Sequence, residues 1–196
     1  MSQIYFSSDF HYNHENLVKG CTTWEDLGSC RDFNTLEEHN QKLVDSINNT
    51  VKANDRLYFL GDWSMGGKDE VINFRKRVKC KNIHFILGNH DIHVDKNYNK
   101  CQDLFNSVKI YDDIQIGKSE FILMHYPIYS WHRKKSTKHS SIHLHGHTHK
   151  ELDYHPSALC VCIDTVKEFR PLHIEEIRDI INKRYEKSGM EGRVKL

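Results

Sequence analysis

The chain has 196 residues, of which 38% are hydrophobic and 28% are charged. These proportions indicate a globular domain with a hydrophobic core and exclude an intrinsically disordered chain. Lysine and arginine total 28 against 27 for aspartate and glutamate, so the formal net charge is +1. A nearly neutral chain has no general attraction for nucleic acid or anionic membranes, and any polyanion site must be local.

No targeting or membrane segment is evident in the sequence. Residues 1–6 show neither the basic start nor the apolar run of a signal peptide, and no stretch approaches the roughly 20 apolar residues of a membrane span. We therefore expect a soluble, cytoplasmic protein without a membrane partner. The six cysteines are scattered along the chain, which indicates reduced thiols. We expect one domain over residues 1–187 and a flexible glycine-containing tail over residues 188–196.

The first two predicted strands each end in polar side chains. Residues 3–6 form an apolar strand that leads to Asp9 and His11, which are two positions apart and point the same way if the chain is extended. Residues 56–60 form a second strand, followed by a glycine and then Asp62. Carboxylates and imidazoles placed directly after strands are candidates for metal binding.

The segments between these strands form a loop and helices. Residues 14–34 have little periodicity and predict a long irregular loop. Thr35 and Glu38 have the spacing of a capping box at the start of an amphipathic helix. Residues 69–78 predict a further helix, whose basic last turn is typical of a solvated C-terminus, with a nucleic-acid patch as the alternative.

The third strand ends in the most unusual motif of the chain. Residues 83–87 are an apolar run that stops at Gly88, and Asn89, His90 and Asp91 follow without a gap. Consecutive amide, imidazole and carboxylate groups at the end of a buried strand indicate a functional site rather than a simple turn.

The second half of the chain repeats this arrangement. Further elements are predicted as a helix over residues 97–105, strands over 108–116, 121–124, 141–145 and 159–164, and a helix within 171–185. His125 directly follows the strand over 121–124, and His147 and His149 follow Gly146 after the next strand. His143 and His145 are expected to lie beneath the site as strand residues, without a metal.

Metal-competent side chains thus follow five predicted strands. In open α/β folds the C-terminal ends of neighbouring strands converge on one crevice, so we expect one shared site. The donors are carboxylates, imidazoles and an amide, with no thiolate, which argues against a structural zinc or iron–sulfur site. Seven ligands exceed what one ion with open positions needs. Two ions sharing a bridging carboxylate fit better, and such pairs catalyse hydrolysis of phosphate esters.

The five motifs, in this order, resemble those of the calcineurin-like metallophosphoesterases: Asp9-x-His11, Gly61-Asp62, Gly88-Asn89-His90-Asp91, His125 and Gly146-His147-Thr148-His149. Residues 9–16 and 170–172 are especially similar to the small single-domain members from bacteria and phages. The resemblance implies a four-layer αββα sandwich, in which two mixed sheets are flanked by helices. It places the metal site at the C-terminal ends of the strands.

The resemblance also implies a role for each site residue. One metal would be held by Asp9, His11 and His149, and the other by Asn89, His125 and His147. Asp62 would bridge the two ions. His90 would contact the scissile phosphate as a catalytic residue, and Asp91 would orient the His90 imidazole.

The implied mechanism follows from the charges. A water bridging two divalent ions is deprotonated near neutral pH, and the resulting hydroxide attacks phosphorus in line while His90 protonates the leaving oxygen. Mn²⁺ is the favoured ion because the site is rich in imidazole, and Fe or Zn²⁺ are the alternatives.

The substrate is less well indicated. Tyr126, Trp131 and Arg133 follow His125 and could stack a nucleobase and bind its phosphate, although a solvated loop would have the same composition. His14 is a candidate for the rim of the pocket.

We expect a phosphoesterase for small mono- or diesters, possibly nucleotides, with no evident surface for duplex nucleic acid. The alternatives are a nuclease or polynucleotide phosphatase for single strands, and an inactive binding module that retains the fold. The oligomeric state is not predicted.

Overall fold

A computed structural model describes residues 2–18, 31–95, 99–134, 141–190 and 194–196. Within these ranges the strands are β1 (Ile4–Ser7), β2 (Arg56–Phe59), β3 (Asn82–Ile86), β4 (Ser107–Lys109), β5 (Tyr111–Ile116), β6 (Ser119–Met124), β7 (Ile142–His145), β8 (Ala158–Cys160) and β9 (Leu172–His173). The helices are α1 (Leu36–Thr50), α2 (Lys68–Arg77), α3 (Asn99–Gln102) and α4 (Ile174–Ser188).

The strands form two mixed sheets. The first has the order β4-β3-β2-β1-β9, in which only β9 runs antiparallel to its neighbour. The second has the order β5-β6-β7-β8, in which only β5 is antiparallel. The α/β fold of two mixed sheets flanked by helices is therefore confirmed. Parallel neighbours within each sheet bring their C-terminal ends to one edge, which is the geometry a shared site requires.

The two sheets pack face to face through an aliphatic and aromatic core. Phe6 and Leu60 come from the first sheet or its end, and Leu123 and Leu144 come from the second. Helix α4 contributes Ile177 to the same core. Burial of this apolar surface is the main force that holds the sheets together.

Helices α1 and α2 cover the outer face of the first sheet. Leu43 of α1 and Phe74 of α2 are buried against Phe59 and Phe85, which lie on β2 and β3. The first turn of α1 is capped as predicted, because the Thr35 hydroxyl accepts a hydrogen bond from the Glu38 backbone at 3.1 Å.

The outer face of the second sheet has a different cover. Within the described residues, Ile122 of β6 and Ala158 of β8 pack against Trp131, with Ile128 and Tyr154 beside them. This layer is built from side chains of connecting segments.

Two strand predictions differ from the structure. Residues 108–116 were expected to form one strand, but the chain leaves the first sheet after β4 and enters the second sheet as β5, with the break at Ile110. The strand expected over 159–164 ends at Cys160, and Ile163–Thr165 forms a 3-10 turn. An apolar run shows that a segment is extended, but it does not show which sheet the segment joins.

The end of the chain is packed rather than flexible where the structure describes it. Val194 is buried, and its backbone N–H donates to Asn182 Oδ1 at 2.8 Å. The Lys195 N–H donates to Ser119 Oγ at 2.7 Å, and the Lys118 N–H donates to the Lys195 carbonyl at 2.9 Å. These hydrogen bonds join residues 194 and 195 to α4 and to the start of β6. Most of the predicted irregular loop, residues 19–30, lies outside the described residues.

The helices in the described ranges are all too short or too polar to cross a membrane.

His143 on β7 gives a testable pH dependence. Its Nδ1 lies 3.1 Å from the Ile122 carbonyl, its Nε2 accepts from the Ile128 N–H at 3.3 Å, and burial lowers the pKa of the ring to about 4. An unfolded histidine titrates near pH 6.5, so protons bind the unfolded chain first as the pH falls from about 6.5 to 4. In that window we expect His143 to reduce the free energy of unfolding by up to about 3 kcal/mol.

The measurement is urea unfolding of metal-free protein across this pH range. His143→Gln should show a shallower loss of stability than the unaltered chain, because glutamine does not titrate. Equal slopes would contradict the assignment of His143 as a neutral buried ring.

Candidate metal centre

The seven predicted metal ligands lie together where the C-terminal ends of the two sheets adjoin. They follow five strands, in the order Asp9 and His11 after β1, Asp62 after β2, Asn89 after β3, His125 after β6, and His147 and His149 after β7. Their contacts divide them into two groups that share one residue.

The first group is Asp9, His11 and His149. The Nε2 atoms of the two histidines are 3.1 Å apart, and His149 Nε2 is 3.6 Å from Asp9 Oδ1. One ligand atom from each of the three lies within 4.8 Å of the others, which is compact enough to hold one metal ion.

The second group is Asn89, His125 and His147. Asn89 Oδ1 is 3.0 Å from His125 Nε2 and 3.0 Å from His147 Nδ1. Asp62 lies between the groups, because its Oδ2 is 3.5 Å from both His11 Nε2 and His125 Nε2. Asp62 also forms possible metal-binding groups with Asp9 and His125 and with His11 and His90. The assignment of the seven side chains to two ions with one shared carboxylate stays a prediction.

The backbone at the site adopts an uncommon conformation. Five of the seven ligands have positive φ: Asp9 (59°), His11 (48°), Asp62 (59°), His147 (68°) and His149 (52°). Residues other than glycine seldom enter this left-handed region, and they persist there when the surrounding structure holds them. These five residues follow β1, β2 and β7, so the left-handed backbone occurs after three of the five strands that lead to the site.

Glycines allow the loops to approach one another closely. A Cβ atom on Gly61 would lie 2.6 Å from the ring Nδ1 of His125, and one on Gly88 would lie 2.6 Å from the Asp62 nitrogen. A Cβ on Gly146 would strike the carboxylate of Asp9. The glycines that precede Asp62, Asn89 and His147 are thus required by the lack of space for a Cβ atom at the site.

Two contacts join the sheets at the site. The backbone N–H of His147 donates to both carboxylate oxygens of Asp9, at 2.9 and 3.1 Å. His125 Nδ1 lies 2.8 Å from the Leu60 carbonyl, and because only an N–H can bond there, this ring nitrogen carries the proton. The unprotonated Nε2 of His125 then faces Asn89 and Asp62, as a metal ligand must.

The electrostatics of the site fit a cation. Asp9 and Asp62 are only 0% and 2% exposed. Burial raises the pKa of Asp9, while His149 and His125 lower it and Asp62 raises it further. Burial also lowers the pKa of His11 well below the usual range, so its ring is neutral. Buried carboxylates beside neutral imidazoles, with a nearby amide oxygen, form a donor set suited to a divalent metal ion.

His90, His14 and Tyr126 lie around this centre. The exposed His90 ring is 5.3 Å from the His11 ring, and its backbone N–H donates to Asp62 Oδ1 at 2.9 Å. The half-buried His14 ring is 5.7 Å from the His11 ring. The Tyr126 ring packs edge-on, 5.0 Å from His125 and 4.8 Å from His147.

The Asp91 carboxylate bonds to backbone groups beside the site. Both oxygens of its buried carboxylate accept backbone N–H groups, from Asp62 at 2.6 Å, Gly88 at 2.8 Å and Trp63 at 2.9 Å. Burial and the charge of Asp62 raise its pKa to about 7, against the effect of these hydrogen bonds. Asp91 therefore joins the loops after β2 and β3 through its backbone hydrogen bonds.

Trp131 and Arg133, the other two predicted substrate-binding residues, have contacts away from the ligand groups. Trp131 is buried on the outer face of the second sheet, where its ring is 5.2 Å from that of His143. Arg133 pairs with Glu120 at 3.1 Å. Glu120 is at the N-terminal end of β6, five residues and about 16 Å from His125. His143 and His145 line this outer face, so they do not lie beneath the site.

Two residues that sequence analysis missed support the first group. His149 Nδ1 bonds to Asp164 Oδ2 at 2.8 Å, and Arg31 forms two hydrogen bonds of 2.9 Å with the same carboxylate. Burial opposes ionisation of Asp164, but Arg31 and His149 hold its pKa below the usual range. Asp164 follows an apolar run, which is the signal that identified the other acids. Arg31 lies in a segment without periodicity and shows no such signal.

Comparison with known proteins identifies relatives that span nearly the whole chain. No family model matches. An uncharacterized protein of Methanocaldococcus jannaschii, MJ1445, is 29% identical over 192 residues, which cover 93% of each chain. The Gene 66 protein of Mycobacterium phage L5 is 25% identical over 217 residues, covering 97% of this chain and 99% of the phage protein.

Solved structures share the fold. The protein of unknown function AQ665 from Aquifex aeolicus matches with a TM-score of 0.64 and 18% identity, over 92% of this chain and all of that one. Lower similarity is found to the E. coli phosphoesterase YfcE (TM-score 0.43, 13% identity, 83% of this chain and 79% of that one). An archaeal phosphodiesterase has a TM-score of 0.45 and 14% identity, over 88% of this chain and 98% of that one.

Asp91 can be tested by an almost isosteric change. In Asp91→Asn an amide N–H₂ replaces one of the two accepting oxygens and faces a backbone donor. We expect the free energy of unfolding to fall by about 1–3 kcal/mol, because a buried donor loses its partner. Urea unfolding at pH 8 measures this. Asp113→Asn, on the exposed side of β5, is the control and should change stability by no more than about 0.5 kcal/mol. Equal stability of the two variants would contradict the role given to Asp91.

Proposed function

We propose that this chain is a calcineurin-like metallophosphoesterase that hydrolyses small phosphate esters with two divalent ions. The observation that supports this most directly is the arrangement of seven ligand-type side chains, from five strand ends, into two groups around Asp62. A carboxylate shared between two ligand sets is the arrangement that holds paired ions.

Paired ions at this position would neutralise phosphate oxygens and provide a hydroxide nucleophile near neutral pH. The first ion would be held by Asp9, His11 and His149 and the second by Asn89, His125 and His147, with Asp62 common to both. Mn²⁺ is the favoured occupant, because imidazole nitrogens dominate the donors, and Fe or Zn²⁺ would suit the same set.

His90 is placed to act on the substrate. Its ring is exposed beside the His11 ring, and its backbone is fixed by the hydrogen bond from its N–H to Asp62 Oδ1. Because Asp62 would contact both ions, this bond ties the position of the imidazole to the reacting centre. In this mechanism a protonated His90 donates its proton to the leaving oxygen as the phosphorus–oxygen bond breaks.

The rim residues favour substrates with a flat group next to the phosphate. Tyr126 is 37% exposed and packs edge-on against two ligand histidines, which leaves part of its ring open for stacking. His14 adds a half-buried imidazole near His11. We assign small phosphoesters of the cytoplasm, nucleotides among them, as the substrate class.

The proposal is tested with metal-loaded protein. We expect hydrolysis of an aryl phosphate diester or monoester with Mn²⁺, loss of activity in excess chelator, and recovery on adding Mn²⁺.

Asp62→Asn should weaken binding of both ions in calorimetric titration, whereas Asp113→Asn should bind both ions as the unaltered chain does. Mn²⁺ binding without turnover of any ester would instead indicate a binding module. Faster hydrolysis of single-stranded oligonucleotides than of nucleotides, with steep salt dependence, would indicate a nuclease.

His90→Ala separates chemistry from metal binding. We expect this variant to bind both ions normally and to turn over about 10²–10⁴-fold more slowly, because it lacks the proton donor. His132→Ala is the control, since His132 is an exposed histidine near Glu120 at the far end of β6. Full activity of His90→Ala would contradict the catalytic role, and loss of an ion would show that His90 is a ligand.

A further inference from the structure

We propose that Arg31 is a positioning residue for the metal centre, because one guanidinium holds both parts of the first ligand group. Through Asp164 it fixes His149, and through two carbonyls it fixes the turn that carries Asp9 and His11. The inference rests on the proposed function, since it assigns Arg31 the task of setting the affinity of one of the two ion sites.

His149 depends on Asp164 for its orientation. The ring is buried, and its Nδ1 bonds to Asp164 Oδ2 at 2.8 Å. Because a carboxylate only accepts, Nδ1 carries the proton and Nε2 keeps its lone pair. That Nε2 faces His11 Nε2 at 3.1 Å and Asp9 Oδ1 at 3.6 Å. Asp164 therefore selects both the tautomer and the direction in which His149 offers its ligand atom.

Asp164 is held in turn by Arg31. Arg31 Nε bonds to Oδ1 and Nη2 to Oδ2 of the carboxylate, each at 2.9 Å. The two side chains are only 1% and 3% exposed. A planar guanidinium that meets a carboxylate with two parallel hydrogen bonds fixes its orientation, which a point charge does not do.

The same guanidinium reaches the turn after β1. Nη2 donates to the Asp9 carbonyl at 2.6 Å, and Nη1 donates to the Phe10 carbonyl at 2.5 Å. Asp9 and His11, on either side of Phe10, both have positive φ. A left-handed backbone in residues other than glycine has to be held by its surroundings, and Arg31 supplies two of the bonds that hold it.

A further contact anchors Arg31 to α1. Nη1 also lies 2.8 Å from His39 Nε2, and His39 Nδ1 is 3.3 Å from Asn40 Oδ1. With its proton on Nδ1, the His39 ring donates to Asn40 and accepts from Arg31. The N–H groups of the guanidinium are then directed at Asp164, two carbonyls and one imidazole. These hydrogen bonds hold the planar guanidinium in a fixed position beneath the first ligand group.

The second ligand group is held by different contacts. His125 Nδ1 bonds to the Leu60 carbonyl, and Asn89 Oδ1 lies close to both His125 and His147. A change at Arg31 is therefore expected to affect the two ion sites unequally, which distinguishes positioning from a general loss of stability.

The test is Arg31→Lys, which keeps the buried positive charge beside Asp164 but removes the planar fork. Mn²⁺ binding is measured by calorimetric titration of the metal-free full chain. We expect one ion to bind about 10–100-fold more weakly, the usual effect of losing a group that orients a metal ligand, and the other to bind as before. The proton signal of His149 Nδ1–H in NMR spectra should shift or broaden, which a loss of activity alone would not show.

Arg170→Lys is the matched control. Arg170 also meets a carboxylate through two hydrogen bonds, to Glu176 at 2.9 and 2.6 Å, at the start of α4. This variant should bind both ions with unchanged affinity. Arg31→Lys with wild-type affinity for both ions would overturn the inference while leaving the proposed function intact. Failure of the unaltered chain to bind Mn²⁺ would overturn both.

A second variant covers the case in which Arg31→Lys does not fold, as judged by circular dichroism. Asp164→Asn keeps the shape of the side chain but presents an N–H₂ group within the network of donors around it. We expect the same selective weakening of one ion. Unchanged binding of both ions by this variant would overturn the inference as well.

Discussion

The metal centre depends on two carboxylates, Asp9 and Asp62, that are buried where the sheets meet. Their charges repel each other in a region with little water, so the fold must supply compensating groups. Hydrogen bonds compensate part of the negative charge. The His147 N–H donates to the Asp9 carboxylate, and the His90 N–H donates to the Asp62 carboxylate. The site is suited to divalent cations because they would balance the negative charge that these hydrogen bonds leave uncompensated. The neutral His11 ring adds a ligand atom without adding a competing charge.

The closeness of these two carboxylates also constrains the backbone of the loops that carry them. The loops after the strands approach one another closely, and five of the seven ligands have positive φ while a glycine precedes three of them. Such conformations are unfavourable in isolation, and other parts of the chain stabilise them. Asp91 clamps the loops after β2 and β3, and Arg31 clamps the turn after β1. Residues outside the two ligand groups therefore shape the site.

The sequence indicated which side chains meet at the site, but not the residues that hold them in place. Each ligand follows an apolar run, so a local pattern marks it. The family resemblance implies that Asp91 orients the His90 ring, and in the structure its oxygens bond to backbone groups that are up to 29 residues away. Trp131 follows a ligand by six residues, but the chain carries it to the outer face of the second sheet. Proximity in sequence is a weak guide to contact once a strand has ended.

The sequence by itself determined the strand periods, the order of the motifs and the chemistry of the ligand atoms, because these are local properties of residue type and spacing. Only the tertiary structure decided how the ligands divide into two groups, that the segment over 108–116 serves two sheets, and that Arg31 reaches Asp164. Arg31 and Asp164 are 133 residues apart, and their contact follows from the packing of a loop, a strand end and α1 around one guanidinium. Long-range pairing of this kind is set by burial and hydrogen bonding across the whole domain, which no local pattern contains.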